Sequence, residues 1–126
     1  MRELTRAEEQ VMQILWIIKK GFVKDILERI DEPKPAYNTV STIVRILQEK
    51  GFVSHKAYGR THEYFPIISK SDYSKAHLNN FVKNYFSNSF EKMVSFFARE
   101  KGISVTEMGE IMRIMEQEIK KQNSEL

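Results

Sequence analysis

Short hydrogen-bonding side chains recur between positions 38 and 45 of the chain. The amide of Asn38 has the donor and the acceptor that pair with the edge of an adenine. The hydroxyl and methyl groups of Thr39 and Thr42 suit neighbouring base edges, and Arg45 suits a backbone phosphate. This spacing indicates a helix that reads bases in the major groove of DNA. A solvated polar helix face is the alternative interpretation.

The same segment has the apolar spacing of a helix with one buried face. We predict a helix from Tyr37 to Lys50, with Gly51 ending it at the position after the C-cap. Its apolar residues follow the i, i+3, i+4, i+7 pattern, at Val40, Ile43, Val44 and Leu47. The polar residues therefore lie on the opposite, outer face.

A β-hairpin is predicted directly after this helix. Residues 52–56 and 61–65 have the composition of strands, and Gly59 lies in the connection 57–60 between them. Pro66 is expected to stop the second strand. The hairpin tip is expected to meet the adjacent DNA backbone or minor groove through Lys56, Tyr58 and Arg60.

Two shorter helices are predicted upstream. Thr5 and Glu8 form a T-x-x-E capping box that starts the first helix, and Gly21 ends it. The second spans the apolar residues from Val23 to Ile30, and the prolines of the segment 31–35 then force a turn. Three helices followed by a hairpin make a winged helix-turn-helix, so the expected fold class is mainly α with a small β-hairpin wing.

The chain from Ser71 onward is predicted to be wholly helical. Breaks at Asn88-Ser89 and Lys101-Gly102 divide it into three helices. We therefore expect a winged-helix DNA-binding domain at residues 1–69 and a helical dimerisation domain at residues 70–126.

The tail helices carry more Phe, Tyr and Met than one small winged domain can bury, so a second copy of the chain is the expected partner. A tail that folds back as an intramolecular core is the alternative. The residues expected at the dimer contact are Phe81, Tyr85, Phe86, Phe90, Met93, Val94, Phe97, Ile111, Met112 and Met115.

Charge placement supports a nucleic-acid partner. The 126 residues include 20 Lys and Arg against 17 Asp and Glu, a net charge of +3 that is too small to decide by itself. Residues 34–68 hold five basic and two acidic side chains, 5 − 2 = +3, so the whole excess falls in the recognition helix and the wing. The N-terminus lacks the pattern of a secretion signal and the apolar runs are too short to span a membrane, so a cytoplasmic location is expected.

Enzyme chemistry is not expected. The chain has no cysteine, which excludes disulfides, thiolate zinc sites and thiol nucleophiles. His55 and His62 face each other across the predicted hairpin and His77 follows it, but no carboxylate pair accompanies them, so we predict no metal site. The sequence contains no nucleophile elbow, catalytic triad or Gly-rich phosphate loop, and no cofactor is expected.

Several segments also carry a family resemblance. They are Leu4-Thr5-x-Ala7-Glu8, Ile14-Leu15-Trp16, Tyr37-Asn38-Thr39-Val40-x-Thr42, Arg45-x-Leu47-x-x-Lys50-Gly51-Phe52, Gly59-Arg60 and Tyr64-Phe65-Pro66. In order and spacing they resemble the BlaI/MecI/CopY family of penicillinase, methicillin-resistance and copper-transport repressors. The resemblance implies a homodimeric winged-helix repressor that binds a palindromic operator and is released by a signal that weakens the dimer, such as proteolysis by a membrane sensor protease.

Carried over by position, the resemblance implies specific roles. The base-reading residues would be Asn38, Thr39, Ser41 and Thr42. The residues that contact the DNA backbone would be Arg45, Lys56 and Arg60. Better-known members often have Lys at the position of Asn38 and Arg or Gln at that of Ser41. The lactam-responsive members are cleaved at an Asn-Phe bond that aligns with Phe96-Phe97, where the Asn is absent. The missing cysteines exclude copper sensing through thiolates.

Two other functions remain open at this point. A winged helix also serves as a protein-interaction adaptor, which would keep its partner without Arg45 and Arg60. A small-molecule-responsive regulator would hold its ligand in a pocket between the tail helices and the winged domain.

Overall fold

The computed structural model describes residues 2–124. Six helices and two strands follow one another as α1 (Arg6–Ile18), α2 (Val23–Glu28), α3 (Tyr37–Glu49), β1 (Val53–Tyr58), β2 (Thr61–Pro66), α4 (Lys70–Tyr85), α5 (Phe90–Glu100) and α6 (Val105–Ser124). The predicted order of three helices, a hairpin and a helical tail is confirmed. In the described part of the chain, no helix has the length and apolar character needed to cross a membrane.

The chain divides into two compact units, the first ending at Leu78 and the second beginning at Asn79. This boundary falls within α4. The division into functional domains at residues 69 and 70 stays a prediction.

The first unit has a core built on the apolar side of α3. Val40, Val44 and Leu47 are completely buried, and Ile43 is half-buried at the edge of the same stripe. They pack with a cluster contributed by α1, α2, β1 and the residue before β1, whose most buried members are Val11, Met12, Leu15, Ile26, Phe52 and Val53. The predicted inner and outer faces of α3 are therefore confirmed.

A buried ion pair joins the start of α1 to the end of α3. Lys50 Nζ lies 2.7 Å from Glu8 Oε1, and Glu8 is the one charged residue of the described chain with a buried side chain. Glu8 Oε1 also accepts the Thr5 N–H at 2.8 Å, which completes the predicted capping box. Burial alone raises the pKa of Glu8, but the Lys50 ammonium and the Thr5 hydrogen bonds outweigh it and hold that pKa below its usual value.

The end of α1 differs from the prediction. The helix ends at Ile18, and Lys19, not Gly21, adopts the left-handed conformation with φ 72°. Gly21 instead pairs with Tyr64 of β2 through two backbone hydrogen bonds of 2.9 and 2.8 Å. A Cβ atom at Gly21 would lie 2.7 Å from Ile18 Cδ1, so a larger residue there would require the end of the Ile18 side chain to shift. This bridge attaches the hairpin to the α1–α2 connection.

The hairpin is longer than predicted and its turn is tighter. β1 and β2 pair in antiparallel register from Val53–Pro66 to Tyr58–Thr61, which leaves only Gly59 and Arg60 in the turn. Gly59 has φ 64°, and a glycine at the first position of a two-residue turn matches the twist of the flanking strands. Pro66 is the last residue of β2, as expected.

The first turns of α4 belong to the first unit. Tyr73 is buried, with its ring 5.8 Å from Trp16 and 5.7 Å from Phe52 between centroids. Trp16 Nε1 donates to the carbonyl of Ile68 at 2.9 Å. Burial, together with the nearby Glu9 carboxylate, raises the pKa of Tyr73. The sequence analysis assigned residue 73 to the helical tail, whereas Tyr73 packs in the winged-helix core.

The second unit has few buried side chains. Val82 and Met93 are buried, and a series of aromatic contacts runs from Phe81 through Phe86 to Phe96 with centroid distances of 5.6 Å at each step. Ser89 caps α5 by accepting the Lys92 N–H at 3.2 Å. α6 has no buried residue among those described.

The ion pair predicts the effect of removing its ammonium. Lys50→Met should leave the buried Glu8 carboxylate without a counter-ion and lower the free energy of unfolding by about 3 kcal/mol. Urea unfolding followed by the fluorescence of Trp16, the single tryptophan, measures the change. The exposed Lys75→Met is the matched control, expected to shift stability by less than about 0.5 kcal/mol.

The cost of Lys50→Met should also depend on pH. The ordinary pKa of a Glu carboxyl is 4.5, and the folded protein lowers the pKa of Glu8 below it. This lowering stabilises the fold at pH values above 4.5, and the contribution is lost as the pH falls through the folded-state pKa. In the variant the ammonium no longer lowers that pKa, so the buried carboxyl takes up its proton at a higher pH than in the wild type and its charge is neutralised. The stability difference should shrink below pH 4.5, and a difference that stays constant there would contradict the account.

Candidate nucleic-acid interface

The outer face of α3 presents the polar residues that the sequence singled out. Asn38, Thr39, Thr42 and Arg45 are exposed, while Ser41 is half-buried. They face outward because the apolar stripe on the other side of the helix is buried.

Two of these side chains are held by the helix itself. Thr42 Oγ1 donates to the carbonyl of Asn38 at 2.9 Å, so its proton is engaged and its oxygen remains available as an acceptor. Arg45 Nε donates to the carbonyl of Ser41 at 3.3 Å, which leaves the terminal guanidinium nitrogens for other partners.

The wing tip carries the other predicted residues. Lys56, Tyr58 and Arg60 are all exposed, and Lys56 Nζ lies 5.2 Å from the centre of the Tyr58 ring. The ring of Tyr58 also contacts Phe22, the N-cap residue of α2, at a centroid distance of 5.8 Å. The tip is therefore supported by α2 as well as by its own turn.

A cavity of about 580 Å³ opens between α2, α3 and the wing. We call it the wing cavity, and its lining residues are Phe22, Val23, Lys24, Tyr37, Ser41, Arg45, Arg60, Thr61, His62 and Tyr64. Three of them are cationic and none is acidic. The cavity thus joins Arg45 of the recognition helix and Arg60 of the wing to Lys24, which the sequence analysis did not single out.

Tyr64 is a buried residue of the lining of this cavity. It is only 4% exposed, and burial is the main reason that its pKa is raised. The positive charge of Arg45 acts in the opposite direction, and Tyr37 adds to the rise. The phenol therefore stays neutral and keeps its proton for donation.

Two of the five basic residues counted between 34 and 68 are engaged within the protein. Lys34 Nζ donates to the carbonyls of Leu27 at 3.0 Å and Glu28 at 3.2 Å, and also to that of Ile30. It thereby satisfies backbone oxygens at the end of α2. Lys50 is engaged with Glu8. The basic side chains of that stretch that remain available to the candidate interface are Arg45, Lys56 and Arg60. Lys24 of α2 adds a fourth.

The three histidines lie at two places in the first unit. The rings of His55 and His62 stack with centroids 4.2 Å apart, and His55 Nδ1 lies 2.8 Å from Gln48 Oε1. His77 stacks on Tyr73 at 6.0 Å. Across residues 2–124, no three His, Asp or Glu side chains come close enough to hold a metal ion together.

The residues expected at a dimer contact differ in exposure. Met93 is buried within its own chain, and Phe81 and Phe86 are half-buried. The exposed ones are Tyr85, Phe90, Val94, Phe97, Ile111, Met112 and Met115. Phe96 and Phe97, the residues at the aligned cleavage position, lie inside α5.

Sequence reasoning missed one side of the interface. Lys24 and Phe22 belong to a short helix whose pattern shows only its buried face. His62 and Tyr64 could have been grouped with Arg60, because alternate residues of a strand point to the same face. The contact of α2 with the wing depends on the Gly21–Tyr64 bridge, for which the sequence holds no local signal.

Comparison with known proteins identifies the family. The family model described as "Penicillinase repressor" matches residues 4–117. The methicillin resistance regulatory protein MecI of Staphylococcus aureus strain N315 is 27% identical over 114 residues, which cover 90% of this chain and 93% of that protein. The penicillinase repressor of Bacillus licheniformis is 24% identical over 116 residues, 91% of each chain.

A solved structure shows the same local fold. The solution structure of the DNA-binding domain of the repressor BlaI matches with a TM-score of 0.50 and 26% identity, over 56% of this chain and 88% of that one. The family match spans nearly the whole sequence and agrees with the three helices and hairpin described above. The chain therefore belongs to the penicillinase repressor family, whose members are transcriptional repressors and not enzymes.

Proposed function

We propose that this repressor binds a palindromic double-stranded DNA operator as a homodimer, in the cytoplasm where the DNA is. The observation that carries the proposal is the exposed polar face of α3 beside a wing cavity with three cations and no acid. α3 would enter the major groove and the wing would lie on the adjacent backbone. The MecI and BlaI relatives, named as a regulatory protein and a repressor with a DNA-binding domain, support this assignment.

Base reading is assigned to the first two turns of α3. Asn38 and Thr39 are exposed close to the start of the helix, the end that approaches base edges in this class of domain. Thr42 would offer its methyl group and an acceptor oxygen, because its proton is donated to the Asn38 carbonyl. Ser41 lines the wing cavity, and it would contact a base at the margin of that cavity.

Backbone binding is assigned to the cations around the wing. Arg45 and Arg60 face one cavity from two elements, and Lys24 adds a third charge from α2. Lys56 and Tyr58 would extend this contact along the exposed wing tip. Charged contacts of this kind position a protein on DNA without selecting its sequence.

A second copy of the chain is the proposed partner of the second unit. α6 exposes Ile111, Met112 and Met115, and α5 exposes Phe90 and Phe97. Apolar side chains exposed along two helices are covered most simply by the same surface of an identical chain. The two recognition helices of the dimer would then lie about 34–36 Å apart, one turn of DNA.

Release from DNA would follow from loss of the dimer. Two linked half-site contacts bind far more tightly than either does alone, so a signal that weakens the dimer lowers operator occupancy. A sensor protease is one proposed source of that signal. The Phe96-Phe97 bond lies within helix α5, so a protease acting there would first require local unwinding of the helix.

Phosphate contacts predict the salt dependence of binding. The wild type should bind a duplex carrying the palindrome of its own promoter at nanomolar concentration. Arg45→Ala should remove one phosphate contact per chain, so the slope of log affinity against log salt should fall by about 1.8 for a dimer. Fluorescence anisotropy over a salt series measures the slope, and sequence-independent binding by the wild type would count against the operator.

Lys34→Met is the matched control for this measurement. It removes one charge from the same segment, but that charge already binds the end of α2. The salt slope should therefore stay unchanged while the free energy of unfolding falls by about 1 kcal/mol. An adaptor function would be indicated if Arg45→Ala and Lys34→Met both left DNA binding as it was.

Base reading predicts a local change in specificity. Asn38→Ala should lower the discrimination at one base pair of each half-site by about 1–3 kcal/mol and leave the salt slope unchanged. A binding assay on a library of single-substituted operators locates that pair. Gln10→Ala, an exposed amide on α1, is the control that should leave the specificity profile intact. Equal loss of affinity for every operator variant would indicate that Asn38 contacts the DNA backbone and does not read a base.

Dimerisation predicts an effect of charge in α6. Met112→Glu should place two carboxylates in an apolar contact and make the chain monomeric at micromolar concentration. Analytical ultracentrifugation measures the state, and the variant should lose affinity for the full palindrome but keep that for one half-site. Glu110→Gln, exposed on the same helix, is the control. A dimeric Met112→Glu would place the contact elsewhere.

A further inference from the structure

The wing cavity differs in charge from two other concave surfaces of the first unit. Its cations are Lys24, Arg45 and Arg60, without any carboxylate among the lining residues. The concave surface at Arg6 includes Glu9, and that between Lys20 and Arg29 includes Asp25 and Glu28. Asp25, the acid next to Lys24 in sequence, accepts the Phe22 N–H at 2.9 Å and so is engaged in capping α2. The wing cavity therefore favours an anionic occupant.

Aromatic rings form much of its wall. Phe22, Tyr37, His62 and Tyr64 line the cavity from three different elements. A bare phosphate is held by cations and N–H groups and gains nothing from such rings, whereas a flat apolar body packs well against them. The lining thus suits a molecule that has both an anionic group and an aromatic body.

The size and attachment of the cavity fit a small molecule. About 580 Å³ lies within the range of roughly 300–1,000 Å³ that is usual for small-ligand sites. Its walls are joined by the two Gly21–Tyr64 hydrogen bonds and by the Phe22–Tyr58 contact. A ligand would therefore find the cavity already formed and would not have to order it.

We propose that the wing cavity binds a small aromatic anion, with its charged group on Lys24, Arg45 and Arg60 and its ring against the aromatic wall. An occupant would engage the cations that the proposed DNA contact requires, so the ligand and the operator would compete. This competition rests on the proposed function, but the binding of the ligand does not.

Competition sets the size of the expected effect. A ligand at ten times its dissociation constant lowers the fraction of empty cavities about elevenfold. Because a dimer has two cavities, the apparent affinity for the operator should fall on the order of 100-fold. The ligand would thereby act as an inducer without breaking the dimer.

The direct test uses the full chain without DNA and three probes. Biphenylcarboxylate carries the charge and the rings, biphenylcarboxamide carries the rings alone, and inorganic phosphate carries the charge alone. Isothermal titration calorimetry should show one biphenylcarboxylate per chain, bound at least tenfold more tightly than either other probe. NMR shift changes should centre on the lining residues. Equal binding of the amide or of phosphate, or no binding of the carboxylate, would overturn the proposal.

Two lysine variants locate the site. Lys24→Gln should weaken biphenylcarboxylate binding at least fivefold, whereas Lys20→Gln, which lies outside the cavity, should leave it unchanged. Both positions are exposed, so both variants should fold as the wild type does. Equal effects of the two substitutions would overturn the assignment to the wing cavity.

A second arm separates this proposal from the DNA-binding function. Biphenylcarboxylate should displace the wild-type protein from its operator duplex, with a smaller effect on Lys24→Gln. Binding of the probe without displacement would overturn its role as a competitor. Binding of the probe by a chain that ignores every duplex would support the ligand site and contradict the operator.

Discussion

The burial of one side of α3 is the constraint on which the interface depends. Val40, Val44 and Leu47 are completely buried against α1, α2 and β1, so the helix cannot rotate without exposing them. At roughly 25 cal/mol per Å² of apolar surface, exposing three such side chains would cost several kcal/mol, a large part of the stability of a small domain. The outward direction of Asn38 and Thr42 therefore follows from packing on the other side of the helix.

Charge acts in two separate ways in the first unit. Lys50 and Lys34 stabilise the fold, one by pairing with buried Glu8 and the other by binding carbonyls at the end of α2. Arg45 and Arg60 instead face the open wing cavity. Counting basic residues along the sequence does not separate these roles, because they depend on which atoms lie within hydrogen-bonding distance after folding.

Local signals explain how much of this fold the sequence predicts. The capping box at Thr5, the apolar spacing of α3 and the glycines at 51 and 59 each act within a few residues. The corresponding helices and hairpin form, although the end of α1 and the length of the hairpin differ from the prediction. The family resemblance and the winged-helix order were also available from the residues alone and are confirmed. The residues on the outer face of α3 could be predicted from the sequence because the apolar spacing of the helix is also a local signal.

The features that the sequence did not predict depend on distant contacts. The Gly21–Tyr64 bridge joins residues that are far apart in the sequence of the first unit, and Tyr64 is also a lining residue of the wing cavity. Tyr73 lies in the segment that the sequence assigned to the tail, yet it packs on Trp16 and Phe52. Such contacts leave no periodic pattern in the sequence, because each one depends on a single residue of suitable shape at each of two distant positions.

The start of α3 has a consequence for how this repressor changes over evolutionary time. Asn38 and Thr39 are exposed, and neither side chain forms a hydrogen bond with another described residue. Substitutions there cost the fold little, whereas those at Val40 or Val44 open cavities. Under the proposed base-reading role, the choice of target sequence can drift between related chains while the scaffold stays the same, and new regulatory circuits can arise from one stable domain.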